Sequence, residues 1–192
     1  MNGKLIIFSA PSGTGKTTIV RHLMQLDLPL EFSISATSRQ KRGNEQDGKD
    51  YYFFTPEIFK KKINNNEFLE WEEVYSNQFY GTLLSEIDRI FANNHHVLFD
   101  VDVVGGLNIK KKYPDNSLTI FLMPPSLEVL RERLLMRGTE TEESVAKRES
   151  KAAFEIQFAE KFDAIIVNDD LETAKNEAHR IIKDFLYKNK NK

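Results

Sequence analysis

The stretch from Leu5 to Met24 constrains this chain more than any other. A short apolar run, Leu5 to Ser9, leads into Ala10-Pro11-Ser12-Gly13-Thr14-Gly15-Lys16-Thr17-Thr18, after which Ile19, Val20, Leu23 and Met24 recur at helical spacing. Strand, glycine-rich turn, Lys-Thr and helix, in that order, make a phosphate-binding loop of the parallel α/β class. The spacing has a chemical reason. Gly13 and Gly15 let the backbone wrap with its N–H groups pointing inward, the helix beginning near Gly15 adds its positive end, and Lys16 reaches the outer phosphates. Thr17 can offer its hydroxyl to Mg²⁺. Ala10 stands where the general pattern has its first Gly, one methyl away from a full match. A dinucleotide loop fits less well, because a G-x-G-x-x-G run from Gly13 needs glycine at Thr18.

The rest of the chain extends that unit. Val97 to Val101, Leu118 to Leu122 and Ala164 to Val167 are apolar runs too short for helices and read as buried strands. Helical spacing links Leu127, Leu130, Leu134 and Leu135, and later Leu171, Ala174, Ala178, Ile181, Ile182, Phe185 and Leu186. Strands alternating with helices imply a parallel sheet covered on both faces. Residues 31–82 break the rhythm with a charge-rich turn region from Arg39 to Asp50 and the aromatic run Tyr51 to Phe54, which predicts an inserted subdomain with antiparallel strands and an aromatic core of Phe53, Phe54, Phe59, Phe68 and Trp71. Residues 137–150 carry seven charges in fourteen positions and few core formers, the pattern of an exposed helical lid. The expected organisation is one domain over 1–192: core at 1–30, 83–136 and 151–192, insertion at 31–82 and lid at 137–150.

Composition removes several classes of function. Lys plus Arg number 27 against 29 Asp plus Glu, a net charge of -2, so bulk charge favours neither nucleic acid nor an anionic membrane and any anion site is local. The chain has no cysteine, which excludes disulfides, thiolate nucleophiles and Cys-ligated zinc. His95 and His96 lack a ligand cluster at zinc spacing and read as a surface turn. With no signal-peptide pattern and no apolar run near the ~20 residues that span a bilayer, the cytoplasm is the expected location.

A strand ending in Asp100 and Asp102 puts both carboxylates on one face at the carboxyl end of the sheet, where one of them can hold Mg²⁺ through water beside Lys16 and Thr17. The alternative is that they cap the helix that follows. Arg39 and Arg42, three apart, suit bidentate capture of a phosphate. Tyr51 and Tyr80 add phenolic donors, and Glu70 lies in the same insertion.

These pieces, PSGTGKTT at 11–18, Ser35 through Arg39 and Arg42 to GKDYYF at 48–53, LEW at 69–71, YGT at 80–82, DVD at 100–102 and RGTETEES at 137–144 before Lys147-Arg148, resemble guanylate kinases over nearly the whole chain. The resemblance implies a three-layer α/β P-loop fold with a parallel sheet core, an inserted mixed α/β subdomain that binds GMP, and a helical lid. It implies ATP as co-substrate on Ser12, Gly13, Thr14, Gly15, Lys16, Thr17, Thr18 and Arg137. GMP would meet Arg39, Arg42, Tyr51 and Tyr80 at its phosphate, and Ser35, Glu70, Thr82 and Asp102 around its base. Lys16, Arg39, Asp100, Arg137 and Arg148 are the expected catalytic set, and Thr17 with Asp100, through water, the expected Mg²⁺ ligands. Val104 departs from the Gln that the family usually carries there, whereas Ala10 is common among its bacterial members. Chemistry agrees on the base: guanine presents N1–H and a 2-amino group side by side, and an ionised Glu70 only accepts.

Two other functions share these motifs. Asp102-Val103-Val104-Gly105 fits the D-x-x-G switch of regulatory GTPases, although Asn168-Asp169-Asp170-Leu171 is no N-K-x-D base reader. A guanylate-kinase-like binding module without catalysis is the other, against which Lys16, Thr17, Asp100 and the lid arginines argue. GMP and ATP are the expected partners, with no nucleic acid or membrane, and a homodimer is left open.

Overall fold

The computed structural model describes residues 3–136 and 141–187. The strand β1 (Leu5–Ser9) is buried at every position and passes through the phosphate loop into helix α1 (Lys16–Leu23). A short strand β2 (Leu30–Phe32) follows and pairs in parallel with β7 (His96–Asp100), which lies beside β1. On the other side of β1 run β8 (Ser117–Met123) and β9 (Ala164–Val167), giving a five-stranded parallel sheet in the order β2-β7-β1-β8-β9. Four of these strands lie where the apolar runs predict them. The fifth, β2, carries the polar Glu31, whose carboxylate pairs with Arg89 at the sheet edge, so it has no apolar run to announce it. Glu31 and Phe32 therefore belong to the large sheet, although the 31–82 bound assigns them to the insertion.

Alternation along β1 explains the three layers. Ile6 and Phe8 point to a core shared with Ile19, Val20 and Leu23 of α1 and with Ala174, Ala178, Ile182 and Leu186 of the C-terminal helix α7 (Leu171–Tyr187). Leu5 and Ile7 point the other way, against Ile87 and Ile90 of α3 (Leu84–Ala92) and Ile109 of α4 (Val103–Lys112). The central strands β1, β7 and β8 are sandwiched between helices on both faces and read as near-continuous hydrophobic runs, whereas Ile165 and Val167 of the edge strand β9 face solvent.

The insertion folds around a second sheet in the order β4-β3-β6-β5: β3 (Ala36–Thr37), β4 (Tyr52–Phe53), β5 (Phe68–Tyr75) and β6 (Gln78–Leu83). β6 is antiparallel to both β3 and β5, whereas β3 and β4 pair in parallel, so the sheet is mixed. Helix α2 (Pro56–Asn64) covers it, begun by a Thr55 side chain that accepts from the Ile58 N–H and by Pro56 in the first turn. Phe59 is the centre of the small core, stacked on Phe68 at 4.4 Å and on Phe79 at 5.4 Å between ring centroids. Phe54 only flanks this core, Phe53 stands outside it, and Trp71 is 45% exposed.

One irregularity in this sheet matters for function. The pairing of β5 with β6 slips between Phe68 and Glu70. Phe68 goes into the insertion's own core and Leu69 into the core of the large sheet, while Glu70, Glu72 and Val74 line a cleft between the two sheets. A bulge re-aims the strand at that point and converts a core face into a binding face.

The remaining helices are α5 (Leu127–Leu135) and α6 (Glu142–Ile156), which pack on each other through Leu130, Leu134, Val145 and Ala152. The expected lid segment ends at residue 150, but α6 continues to Ile156 because Ala152 and Glu155 are buried and anchor its last turns.

Candidate active site

The phosphate loop is shaped by two left-handed glycines and one asparagine. Gly13 has φ of 99° and Gly15 of 91°, angles that glycine adopts at least cost. A Cβ on Gly15 would also meet Nδ2 of Asn168 at 2.6 Å. Asn168, just after β9 and only 4% exposed, donates from Nδ2 to the Thr14 carbonyl at 2.6 Å. Thr14 itself is buried, with its hydroxyl donating to the Pro11 carbonyl at 2.5 Å. Ser12, Gly13, Gly15, Lys16, Thr17 and Thr18 line a cleft of about 400 Å³, whose other lining residues include Asp100, Asp102 and, from α6, Arg148, Lys151 and Glu155. Of the expected loop residues, Thr14 is the one not on the cleft.

Lys16 opens α1, and its ammonium forms an ion pair with the Asp100 carboxylate at the end of β7. Thr17 stands exposed in the same first turn. One hydroxyl and one carboxylate on a phosphate-binding cleft suit Mg²⁺, which is usually held by one or two protein oxygens plus phosphates and water. Among the described residues no cluster of three or more His, Asp or Glu offers an all-protein cage. Across the cleft, the Arg148 guanidinium donates to the Ser12 hydroxyl at 2.5 Å, so α6 already touches the loop. Arg137 lies outside the described residues.

A second cleft of about 240 Å³ opens beside the first. Ser35, Tyr51, Glu70, Tyr80 and Asp102, all expected around GMP from the resemblance, line it together with Glu72 and Lys151. Thr82 is buried behind it and donates its hydroxyl to Glu70 Oε1 at 2.8 Å. Burial pushes the Glu70 carboxyl up to about 7, the Thr82 hydrogen bond works against that shift, and the Asp102 charge adds to it. Glu72 also stands at about 7, raised first by its hydrogen bond with Asp102 and then by burial. Asp102 caps α4 as well: its Oδ1 accepts from the Gly105 N–H at 2.7 Å. Helix capping, the alternative reading of this strand end, is what Asp102 does, and the same side chain lines the cleft. A Cβ on Gly105 would stand 3.1 Å from Glu70 Oε2 and 3.2 Å from Asp102 Oδ1, so a glycine here lets both carboxylates approach the helix start.

The two arginines expected at the acceptor phosphate are not on this cleft. Arg39 is 8% exposed and grips Glu45 with both nitrogens, Nη1 to Oε2 at 2.7 Å and Nη2 to Oε1 at 2.6 Å. Those hydrogen bonds raise the Arg39 pKa and hold the Glu45 carboxyl at about 2. The guanidinium lies 4.9 Å over the Tyr51 ring, within reach of the cleft wall. Arg42 is exposed, and its backbone N–H donates to the same Glu45 at 2.8 Å.

Several residues here escape sequence reasoning. Glu72 has a usable signal, since it follows Glu70 by two on a strand and shares its face. Lys151 follows Arg148 by three on a helix and shares its side. Asn168 and Glu45 have no such signal, because their roles depend on contacts that only the fold creates.

The family model for guanylate kinase matches residues 2–185 of the chain. A guanylate kinase of Bacteroides fragilis is 55% identical over 183 residues, covering 95% of this chain and 90% of its own length. One from Porphyromonas gingivalis is 52% identical over 186 residues, covering 96% and 99%. The crystal structure of guanylate kinase from Anaplasma phagocytophilum superposes with a TM-score of 0.74 at 30% identity, covering 94% of this chain and 85% of that one. With two adjoining clefts, a phosphate loop on one and a buried glutamate on the other, and with these matches along its length, the chain belongs to the guanylate kinase family.

Proposed function

We propose that this chain transfers the γ-phosphoryl group of ATP to GMP, giving ADP and GDP, within guanine nucleotide metabolism and GMP recycling. The observation that carries the reading is that the phosphate-loop cleft and the Glu70 cleft share one wall, Asp100, Val101, Asp102 and Lys151. Donor and acceptor bound there would meet end to end, the arrangement that in-line phosphoryl transfer requires.

Lys16 would leave Asp100 to reach the ATP phosphates, and the loop N–H groups would orient them. Thr17 and Asp100 are the residues that would hold Mg²⁺, which when bound neutralises charge on the phosphates. Glu70, its Oε1 fixed by Thr82, would accept from guanine N1–H and the 2-amino group, with Ser35 and Asp102 beside it. Tyr51 and Tyr80 would meet the acceptor phosphate, joined by Arg39 after release from Glu45 and by Arg42. Arg148 and Arg137 would close over the ATP phosphates as residues 137–150 act as a lid. No strong base is needed, because the attacking group is a phosphate oxygen that is already anionic.

The GTPase reading is weaker. Its base-reading position would fall at Asn168, whose Nδ2 is spent on the Thr14 carbonyl in the interior. Both clefts are walled by one chain, so the reaction asks for no second copy, and a homodimer is compatible with it. No helix of the described residues is long and apolar enough to cross a membrane, and the cytoplasm is the proposed location. A coupled ADP-release assay with ATP, Mg²⁺ and each of GMP, AMP, CMP and UMP tests the reading. Turnover is expected with GMP at a kcat/KM at least about 100-fold above the others. GTP hydrolysis without an acceptor, or GMP binding without turnover, would replace it.

A further inference from the structure

The shared wall of the two clefts carries one cation among the described residues. Asp100, Val101, Asp102 and Lys151 are the residues common to both, and Lys151 is the only positive one. Its surroundings are acidic. Asp100 and Asp102 stand on the same wall, Glu72 lines the acceptor side, and Glu155 lines the donor side with its side chain only 8% exposed. The Lys151 ammonium lies 3.6 Å from the Glu155 carboxylate, one helical turn further along α6, and its own side chain is 63% exposed. Burial raises the Glu155 carboxyl, while the charges of Lys151 and Lys16 work against that shift, so Glu155 feels both ammonium groups.

A γ-phosphoryl group moving from the loop side to the acceptor side would cross this wall. It would do so past several carboxylates while carrying negative charge on its peripheral oxygens. Lys16 sits on the donor side, engaged with Asp100, and Arg148 touches Ser12 at the far side of the loop. We propose that Lys151 is a further catalytic residue of this reaction, a mobile cation that leaves Glu155 and contacts the phosphoryl group in transit between the two nucleotides. The inference rests on the ATP:GMP reading above. In the step itself the bond from γ-phosphorus to the β–γ bridging oxygen breaks as one forms to an oxygen of the GMP phosphate. Lys151 supplies charge only, and no proton changes hands.

Geometry also makes the idea testable. Lys151 shares its side of α6 with Arg148 and Glu155, three before it and four after, so all three project at the loop. The core-facing residues Val145 and Ala152 are separate, and an exposed lysine can be changed without opening a cavity.

The chain has no cysteine, so Lys151→Cys introduces its sole thiol. Alkylation of that thiol with 2-bromoethylamine rebuilds an ammonium on a side chain of lysine length, whereas iodoacetamide adds a neutral amide. Lys151→Met and Lys151→Cys are expected to lower kcat by about 30-fold or more, with KM for GMP and for ATP within about 3-fold of the parent and an unchanged melting temperature. Aminoethylation should restore most of the lost kcat, and carbamidomethylation should restore none. A Lys151→Met kcat within about 3-fold of the parent would overturn the proposal. So would a loss confined to KM for GMP, or equal recovery with either alkylating agent. Failure of the parent enzyme to phosphorylate GMP would instead refute the underlying reading.

Discussion

If Glu70 reads guanine as an ionised acceptor, GMP affinity must change with pH close to neutrality. Burial pushes this carboxyl up to about 7, so about a tenth of molecules would be ionised at pH 6 and about nine-tenths at pH 8. Only the ionised form pairs with both donors, N1–H and the 2-amino group, since a protonated carboxyl sets a donor against a donor. The GMP dissociation constant should therefore fall about tenfold between pH 6 and 8, about 1.4 kcal/mol. Calorimetric titration of GMP without ATP measures it directly. The phosphate of GMP loses its second proton near about 6 and gives an inflexion of its own, so the decisive interval is pH 7 to 8. There Glu70→Gln, which keeps an acceptor for the Thr82 hydroxyl but does not ionise, should flatten most of the rise, leaving only what Glu72 contributes. Stability should move with the opposite sign. The carboxyl titrates at 4.5 when unfolded and about 7 when folded, so the folded chain holds the extra proton between those values. Stability from this group is thus lost as pH rises through that window, by about 3 kcal/mol, and Glu70→Gln should recover much of it at pH 8. A GMP affinity that rises undiminished from pH 7 to 8 in Glu70→Gln would refute the argument.

Two further outcomes test other parts of the site. Lys16→Met should leave the fold intact, because the side chain points into a cleft, and should lower kcat by at least about 100-fold in the ADP-release assay; near-normal turnover would remove the phosphate loop from the reaction. Glu86→Ala should cost about 3 kcal/mol in denaturant unfolding, since the buried carboxylate accepts from the Ile34 N–H, the Tyr52 hydroxyl and Arg89 and so joins α3 to β4 and to the link between β2 and β3; a change below about 1 kcal/mol would mean that water replaces it.

What was legible in the sequence is what short-range chemistry dictates. The loop from Pro11 to Thr18 and the strand before it are local in sequence, and the apolar runs of a doubly covered sheet need no partner to be recognised. Ser35, Tyr51, Glu70, Tyr80 and Asp102 were placed by resemblance, and the fold brings them onto one cleft. The strand β2 was invisible because three residues with a charged centre carry no periodic signal. Arg39 could be named but not posed: its grip on Glu45, six residues away, is decided by a turn whose geometry no motif encodes. Asn168 stands 154 positions from Thr14, and nothing in its neighbourhood announces a brace for the phosphate loop.

The pose of the cations bears on how such a site selects its ligands. Lys16 sits on Asp100, Arg39 on Glu45 and Lys151 beside Glu155, three cations each matched to a carboxylate of its own. On the proposed reading a ligand would have to displace an internal partner before it gained the cation, which would disfavour capture of any passing anion. A singly charged anion offers little more than the carboxylate it replaces, whereas a nucleotide phosphate brings higher charge, several acceptor oxygens and a tethered base. The base would then decide the outcome on the acceptor side: Glu70 and its neighbours would have to be satisfied in the same event that draws Arg39 from Glu45. On the ATP:GMP reading, recognition of guanine and capture of the phosphate would thereby be linked across the insertion, where the Arg39 guanidinium lies 4.9 Å from the Tyr51 ring. A ligand with the right phosphate and the wrong base would bear the cost of breaking the Arg39 pair without the return from Glu70, which is how discrimination on one side of the cleft becomes discrimination in turnover.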